Sequence, residues 1–259
     1  MLRIYYEERL LSTVTGEVRL CCRMSGDGSR FVLPSCEEVL GSQIVVTTLS
    51  MSAHLVRLGL RGKFSHIFLD EAGQALECEA ITPLALATPS TCVVLSGDHR
   101  QMCPAVYCRR ARRRRFHVSL LERLFLHYRK LDLLPFNAVM LYRNYRTCGE
   151  IVDFLSTTFY QQKQCLVASR GHRSAVSSED HKALSFYCTE GREEADGCSY
   201  FNVAEIEEIV QAVVKFQSSM PQQQDICVVT YYSSQVYNVV FSGSNLLKLK
   251  LNKTKFLQP

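Results

Sequence analysis

Short apolar, β-branched runs recur along this chain, each followed by polar turn residues and then by apolar positions at helical spacing. The runs are Ile44 to Thr48, His66 to Leu69, Cys92 to Leu95, Ala138 to Leu141, Leu184 to Cys188 and Ile226 to Val229. A strand that leads into a helix cannot fold back as a tight hairpin, so successive strands run parallel and the helices cover the sheet. The expected fold class is α/β. Three helix starts carry a capping signature, a side-chain acceptor followed three residues later by Glu. Ser119 and Glu122 open a stripe of Leu121, Leu124, Phe125 and Tyr128; Thr147 and Glu150 open Ile151, Phe154, Leu155 and Phe159. Asn202 and Glu205 open Ile206, Ile209, Val210, Val213 and Val214. Each stripe requires a sheet to bury it.

With 259 residues and 47% hydrophobic content the chain can fill one large core or two modest ones. No segment approaches the ~18 uninterrupted apolar residues of a membrane span, and no leader-like start is present, so export and membrane insertion are not expected. A cytoplasmic or nuclear location, or both, is the expectation. The twelve cysteines lie in strand-like runs such as Ile226-Cys227-Val228, where Cys acts as a small hydrophobe, and they read as reduced thiols. No Cys-x-x-Cys and no His-Glu-x-x-His occurs, so a zinc site is not expected.

Two stretches read as surface loops. Residues 108–116 hold Arg109, Arg110, Arg112, Arg113, Arg114 and Arg115, while Ser169 to Lys182 is polar with too few apolar residues to pack. Six positive charges within seven residues attract phosphate backbones. The same run serves equally as a solvated face or a nuclear-import signal. A boundary between two α/β lobes is expected near Pro135-Phe136-Asn137, giving domains 1–136 and 137–241. A tail follows at 242–259, in which Leu and Lys alternate, as an edge strand or an unstructured end.

Phe68-Leu69-Asp70-Glu71-Ala72-Gly73 reads as a buried strand that delivers two carboxylates at its C-terminal edge, where open α/β sheets place their ligands. In phosphate-transfer motors one such carboxylate holds Mg²⁺ and its neighbour positions and deprotonates the attacking water. Acidic pairs after a strand also serve simply as helix N-terminal charges. After a helix-sized gap and the run Cys92 to Leu95 comes Ser96-Gly97-Asp98-His99-Arg100-Gln101, a sharp turn with an amide just beyond it that can meet a γ-phosphate or its attacking water.

These residues resemble the superfamily 1 RNA helicases related to the nonsense-mediated-decay helicase. The likeness rests on Asp70-Glu71-Ala72-Gly73-Gln74-Ala75-Leu76-Glu77, on Gly97-Asp98-His99-Arg100-Gln101-Met102-Cys103-Pro104, and on Asn144-Tyr145-Arg146 ahead of a helix ending in Phe159-Tyr160. Phe64 to Leu69, Leu76 to Leu84 and His117 to Leu124 look like the helicase-with-zinc-finger branch. The resemblance runs from about Tyr5 to about Val236. It implies two RecA-like parallel-sheet lobes, both incomplete, and an ATP-dependent helicase that couples ATP hydrolysis to translocation or unwinding of nucleic acid.

Carried over position by position, Asp70 would bind Mg²⁺, Glu71 would be the catalytic base, Gln101 would sense the γ-phosphate and Asp98 would stand beside it at the ATP. Arg146 would act as an arginine finger, with Arg143 a weaker candidate. Thr47 and Thr48 resemble the segment that meets the nucleic-acid backbone; as plain β-branched strand residues they need no such role. Single-stranded RNA is the implied partner, with coactivator-type or RNA-decay proteins as further ones.

The chain also departs from the family. No Gly-x-x-x-x-Gly-Lys-Ser/Thr phosphate loop is present: Gly62-Lys63 is followed by Phe64. The family's Thr-Pro-Tyr-x-x-Gln turn reads Thr230-Tyr231-Tyr232-Ser233-Ser234-Gln235, and the motifs beyond it are missing. The expectation is a chain that starts inside the first lobe, stops inside the second, and hydrolyses little or no ATP alone. The alternative is a truncated, non-catalytic nucleic-acid-binding or transcriptional coactivator module.

Overall fold

A computed structural model describes residues 1–160, 165–169, 184–219 and 226–247. The chain divides into two compact units, Met1–Ser174 and Ala175–Pro259. In the first, β1 (Leu2–Arg3), α1 (Gly16–Arg19), α2 (Cys36–Leu40), β2 (Val45–Val46) and α3 (Ser52–Arg57) precede β3 (His66–Leu69), α4 (Glu77–Leu84) and β4 (Cys92–Leu95). There follow α5 (Arg109–Arg113), α6 (Leu120–Lys130), α7 (Leu134–Asn137), β5 (Arg143–Asn144), α8 (Gly149–Phe159) and β6 (Val167–Ala168). The second unit contains β7 (Glu193–Asp196), β8 (Ser199–Asn202), α9 (Val203–Ser219) and α10 (Ser233–Leu247).

The α/β expectation holds in its coarse form. The pairs β1–β2, β3–β4 and β5–β6 are parallel, and helices pack against them. β3 and β4 occupy the positions that the sequence pattern assigns, paired residue for residue from His66↔Cys92 to Leu69↔Leu95. A first core gathers Ile4, Val39, Leu55, Leu60 and Leu86 beneath the β1–β2 pair. A second core, of Leu69, Ala72, Ala75, Ala80 and Leu120, lies directly under the C-terminal end of β3, with Ile67, Leu95, Leu121 and Leu124 packed on it. Burying each of the larger side chains stabilises by about 1.5–3 kcal/mol, so the turn after β3 stands on a fixed base.

β3 is half-buried, not a fully buried strand. Leu69 is buried and Ile67 partly so, but Phe68 is 70% exposed and stacks on His66, with ring centroids 6.0 Å apart. α4 and α6 supply the cover on one face; among the described residues nothing covers Phe68, Val93 and Val94 to the same degree.

Three apolar runs that the pattern assigns to strands have no ladder. Ala138 to Leu141, Leu184 to Cys188 and Ile226 to Val229 are without regular structure, and Val139, Phe186 and Val229 are strongly exposed. A strand exists only where a second backbone meets its hydrogen bonds; next to Ala138 to Leu141 that meeting falls later, where Arg143–Asn144 pairs with Val167–Ala168. In the second unit the described strands form an antiparallel hairpin, with Asp196 opposite Ser199 and Gly197 at φ +60° as the first turn residue. Two-residue hairpin turns need that positive φ, so the Gly after Asp196 was the available signal.

The capping signatures divide. Ser119 Oγ accepts from the Glu122 amide at 3.1 Å, and Asn202 Oδ1 accepts from the amides of Ala204 and Glu205 at 3.1 and 3.4 Å. Thr147 does not cap α8. Cys148 occupies the cap without a side-chain bond, and Asn144 Oδ1 accepts from the amides of Arg146 and Thr147 in the turn before it. α10 runs through position 242, so the tail begins as helix; residues 248–259, like residues 170–183 of the expected polar loop, lie outside the described ones. All twelve cysteines are free thiols. Among the described residues no helix is long and apolar enough to cross a membrane.

Candidate functional site

The parallel register of β3 and β4 brings their two C-terminal turns side by side. The Ser96 amide donates to the Leu69 carbonyl at 2.8 Å, and the Ala72 amide donates back to the Ser96 carbonyl at 2.8 Å. Only glycines allow the turns to touch. A Cβ on Gly73 would lie 2.8 Å from the carbonyl oxygen of Asp98; Gly97, at φ +149°, has the amides of Ala72 and Gly73 at 3.0 Å from its own Cβ position. The backbone of one turn therefore fills the space a side chain on the other would need.

On this double turn Asp70 and Glu71 are exposed. Asp70 Oδ1 accepts a 2.8 Å hydrogen bond from Ser96 Oγ. Glu71 adopts φ +51°, a left-handed conformation that costs a non-glycine residue on the order of 1 kcal/mol and persists where its surroundings over-determine it. Gln74 Nε2 donates to Glu71 Oε2 at 3.3 Å.

Asp98 is the most heavily engaged carboxylate of the group. Its Oδ1 accepts from the Arg100 amide at 2.8 Å; its Oδ2 accepts from Gln101 Nε2 at 3.0 Å and from the Tyr160 hydroxyl. Burial pushes the Asp98 carboxyl up, but the bonds from Tyr160, Arg100 and Gln101 outweigh it and hold it below the usual carboxylate range. Burial and the Asp98 charge push the Tyr160 phenol up to about 12. The neighbouring His99 ring packs on Phe125 of α6 at 4.6 Å, and burial, then the Arg100 charge, lower its pKa.

Arg146 lies exposed in the turn shaped by Asn144, and among the described residues no ion pair joins it to Glu150 or to the carboxylates of the double turn. Thr47 and Thr48 follow β2. Thr48 Oγ1 accepts from the Met51 amide at 3.3 Å, whereas Thr47 Oγ1 is buried without a partner. The Arg-rich stretch is not a plain loop: Arg109–Arg113 form one short helix, Arg115 closes it at φ +64°, and all six arginines are exposed. A backbone free of Gly and Pro closes a helical turn readily when nothing else claims its amides. The residues of the Thr230-to-Gln235 turn serve the second unit's own packing. Gln235, only 3% exposed, accepts from the Asn202 amide at 2.8 Å and donates to Glu205 at 3.2 Å.

The structure thus joins Asp70, Glu71, Asp98 and Gln101 in one connected turn pair. Sequence reasoning missed three contributors: Ser96, Gln74 and the contact of Tyr160. Two of the three act on partners 26 and 62 residues away, so no local pattern announces them.

Two family models, each described as an AAA domain, match the chain, one over residues 34–109 and the other over residues 116–248. The chain is 40% identical to the probable helicase with zinc finger domain of Mus musculus over 92% of its own length, and equally to that of Homo sapiens. The chain belongs to the superfamily 1 RNA helicases. This helicase segment is also 31% identical over 87% of its length to the putative helicase MOV-10 of Gallus gallus. It spans about an eighth of the length of the zinc-finger relatives and 27% of the chicken one. Within it, Arg110 to Arg115 fall in the gap between the two matched models.

Proposed function

We propose that residues 1–136 and 137–241 are portions of two RecA-like lobes, and that Asp70, Glu71, Gln101 and Arg146 form the phosphate-acting half of an ATP-hydrolysing site that drives movement on single-stranded RNA. The observation that carries this reading is the backbone contact of the Asp70–Gly73 and Gly97–Gln101 turns at the ends of two adjacent parallel strands. Open α/β sheets bind ligands at that edge.

The donor chemistry fits Mg²⁺, which accepts one or two carboxylates and takes its other ligands from water and substrate phosphates. Asp70 is exposed and Ser96 engages its Oδ1, so Oδ2 would be the oxygen offered to the ion. When bound there, Mg²⁺ would neutralise charge developing on the transferred phosphoryl group. Glu71 orients and deprotonates the attacking water. Gln101 donates one amide N–H to Asp98, which leaves its carbonyl and second N–H for water and phosphate. Arg146 supplies positive charge to the leaving phosphoryl oxygens, a role worth roughly 10³–10⁵ in rate. Asp98, with three protein donors on its carboxylate, serves the ATP through Gln101. Thr47 and Thr48 would meet phosphate oxygens of the RNA backbone, Thr48 from an exposed position and Thr47 only once its buried hydroxyl turns outward.

Because no phosphate loop lies in this sequence, the four residues act on a phosphate chain that other residues must hold. Purified chain with RNA and Mg-ATP is expected to release phosphate no faster than its Glu71→Gln variant. Faster release would overturn the inactivity.

A second, passive activity is favoured by the six arginines, which are exposed and make no ion pair among the described residues. They suit phosphate backbones without any nucleotide. The logarithm of RNA affinity should fall linearly with log salt, and replacing the six by Ser should weaken binding and flatten the slope. Unchanged affinity after replacement would remove the run from the RNA interface.

A further inference from the structure

Asp98 ties together two elements that carry different parts of the proposed site. The Gly97–Gln101 turn presents Gln101, an exposed side chain with three rotatable bonds and no intrinsic reason to point one way. The Asp98 carboxylate supplies that reason: Oδ2 accepts from Gln101 Nε2, and a flipped amide would set carbonyl oxygen against carboxylate. A carboxylate at a surface turn is free to rotate unless it is itself held. Two donors hold it, the Arg100 amide on Oδ1 and the Tyr160 hydroxyl on Oδ2. The first is local to the turn. Tyr160 comes from the C-terminal cap of α8, the helix that follows Arg146, and α8 is firmly seated, with Val152 and Ser156 completely buried.

We propose that Tyr160 is a positioning residue for ATP hydrolysis, fixing the Gln101 amide through Asp98 and so linking the helix behind Arg146 to the group that meets the γ-phosphate. The proposal rests on the nucleotide-site reading given above. α8 spans 11 residues, about 16 Å at 1.5 Å per residue, with Arg146 three residues before its first turn and Tyr160 at its far end. A shift of this rod against β3 and β4 therefore moves Arg146 and releases or tightens Gln101 together. The phenol is protonated throughout the physiological range, as a donor must be.

The test uses the full chain with ¹⁵N-labelled glutamine and ¹³Cζ-labelled tyrosine. Gln101 should show a side-chain amide pair displaced from that of a solvent-exposed glutamine, and Tyr160→Phe and Asp98→Asn should each return it to the exposed position. One tyrosine ring should titrate well above the others, disappear in Tyr160→Phe, and move down toward the rest in Asp98→Asn while burial still holds it above them. A purely architectural Tyr160 would change the unfolding midpoint and leave the Gln101 amide where it was, which overturns the proposal. Tyr160 titrating with the exposed tyrosines in the unmodified chain overturns it without any variant.

Function is read in a chimera in which this chain replaces the aligned segment of the mouse relative. There Tyr160→Phe should lower kcat about tenfold with KM little changed. If Glu71→Gln abolishes turnover while Tyr160→Phe leaves kcat intact, the positioning role is wrong. If Glu71→Gln has no effect either, the nucleotide reading itself has failed.

Discussion

Gly73 lies so close to the carbonyl of Asp98 that a Cβ there would sit 2.8 Å from the oxygen, well inside normal contact. Gly73→Ala therefore forces the two site turns apart. Gly97→Ala meets the same crowding at 3.0 Å and adds a φ of +149° that alanine does not tolerate. Each substitution should destabilise by about 1–3 kcal/mol in urea unfolding. Gly149→Ala, with nothing within 4 Å and a place at the start of α8, is the control and should be neutral or slightly stabilising.

Ser119 is completely buried, and its hydroxyl is the acceptor for the Glu122 amide at the start of α6. Ser119→Ala should cost about 1 kcal/mol, and Ser119→Asp should retain most of the cap only if the tight site accommodates the larger group. Chemical denaturation of the two variants against the unmodified chain measures both.

The Asp98–Tyr160 bond makes a signed pH prediction. Asp98 has a depressed folded pKa, so its contribution is complete above the ordinary carboxylate range and fades as pH falls through the folded value. Tyr160 has a raised one, so its contribution is complete below the ordinary tyrosine range and fades as pH rises toward about 12. The stability gap between the chain and Tyr160→Phe should be flat from about pH 5 to pH 9 and close on acidification. A gap that widens toward acid would contradict the assignment of Asp98 as the charged partner.

β3, β4 and the double turn were legible because their signals are local: an apolar run, then a polar break with acid or glycine at fixed positions. Ser119 and Asn202 were legible as caps for the same reason. The run at Ile226 to Val229 was not, since apolar side chains report tolerance of burial and say nothing of whether another backbone lies alongside. Thr147 misled because α8 starts one residue later than the Thr-x-x-Glu spacing implies, with Cys148 at the cap. At the site, Asp70, Glu71 and Gln101 could be named from sequence; the hydroxyls of Ser96 and Tyr160 that steady the carboxylates could not, because folding alone brings them there.

Turnover in the chimera with the mouse relative tests most directly whether these residues act on phosphate. Glu71→Gln is expected to reduce RNA-stimulated kcat by about 10²–10⁴-fold, the usual loss when a general base is removed, with KM for ATP nearly unchanged. A Glu71→Gln chimera that hydrolyses ATP as fast as its parent would contradict the account.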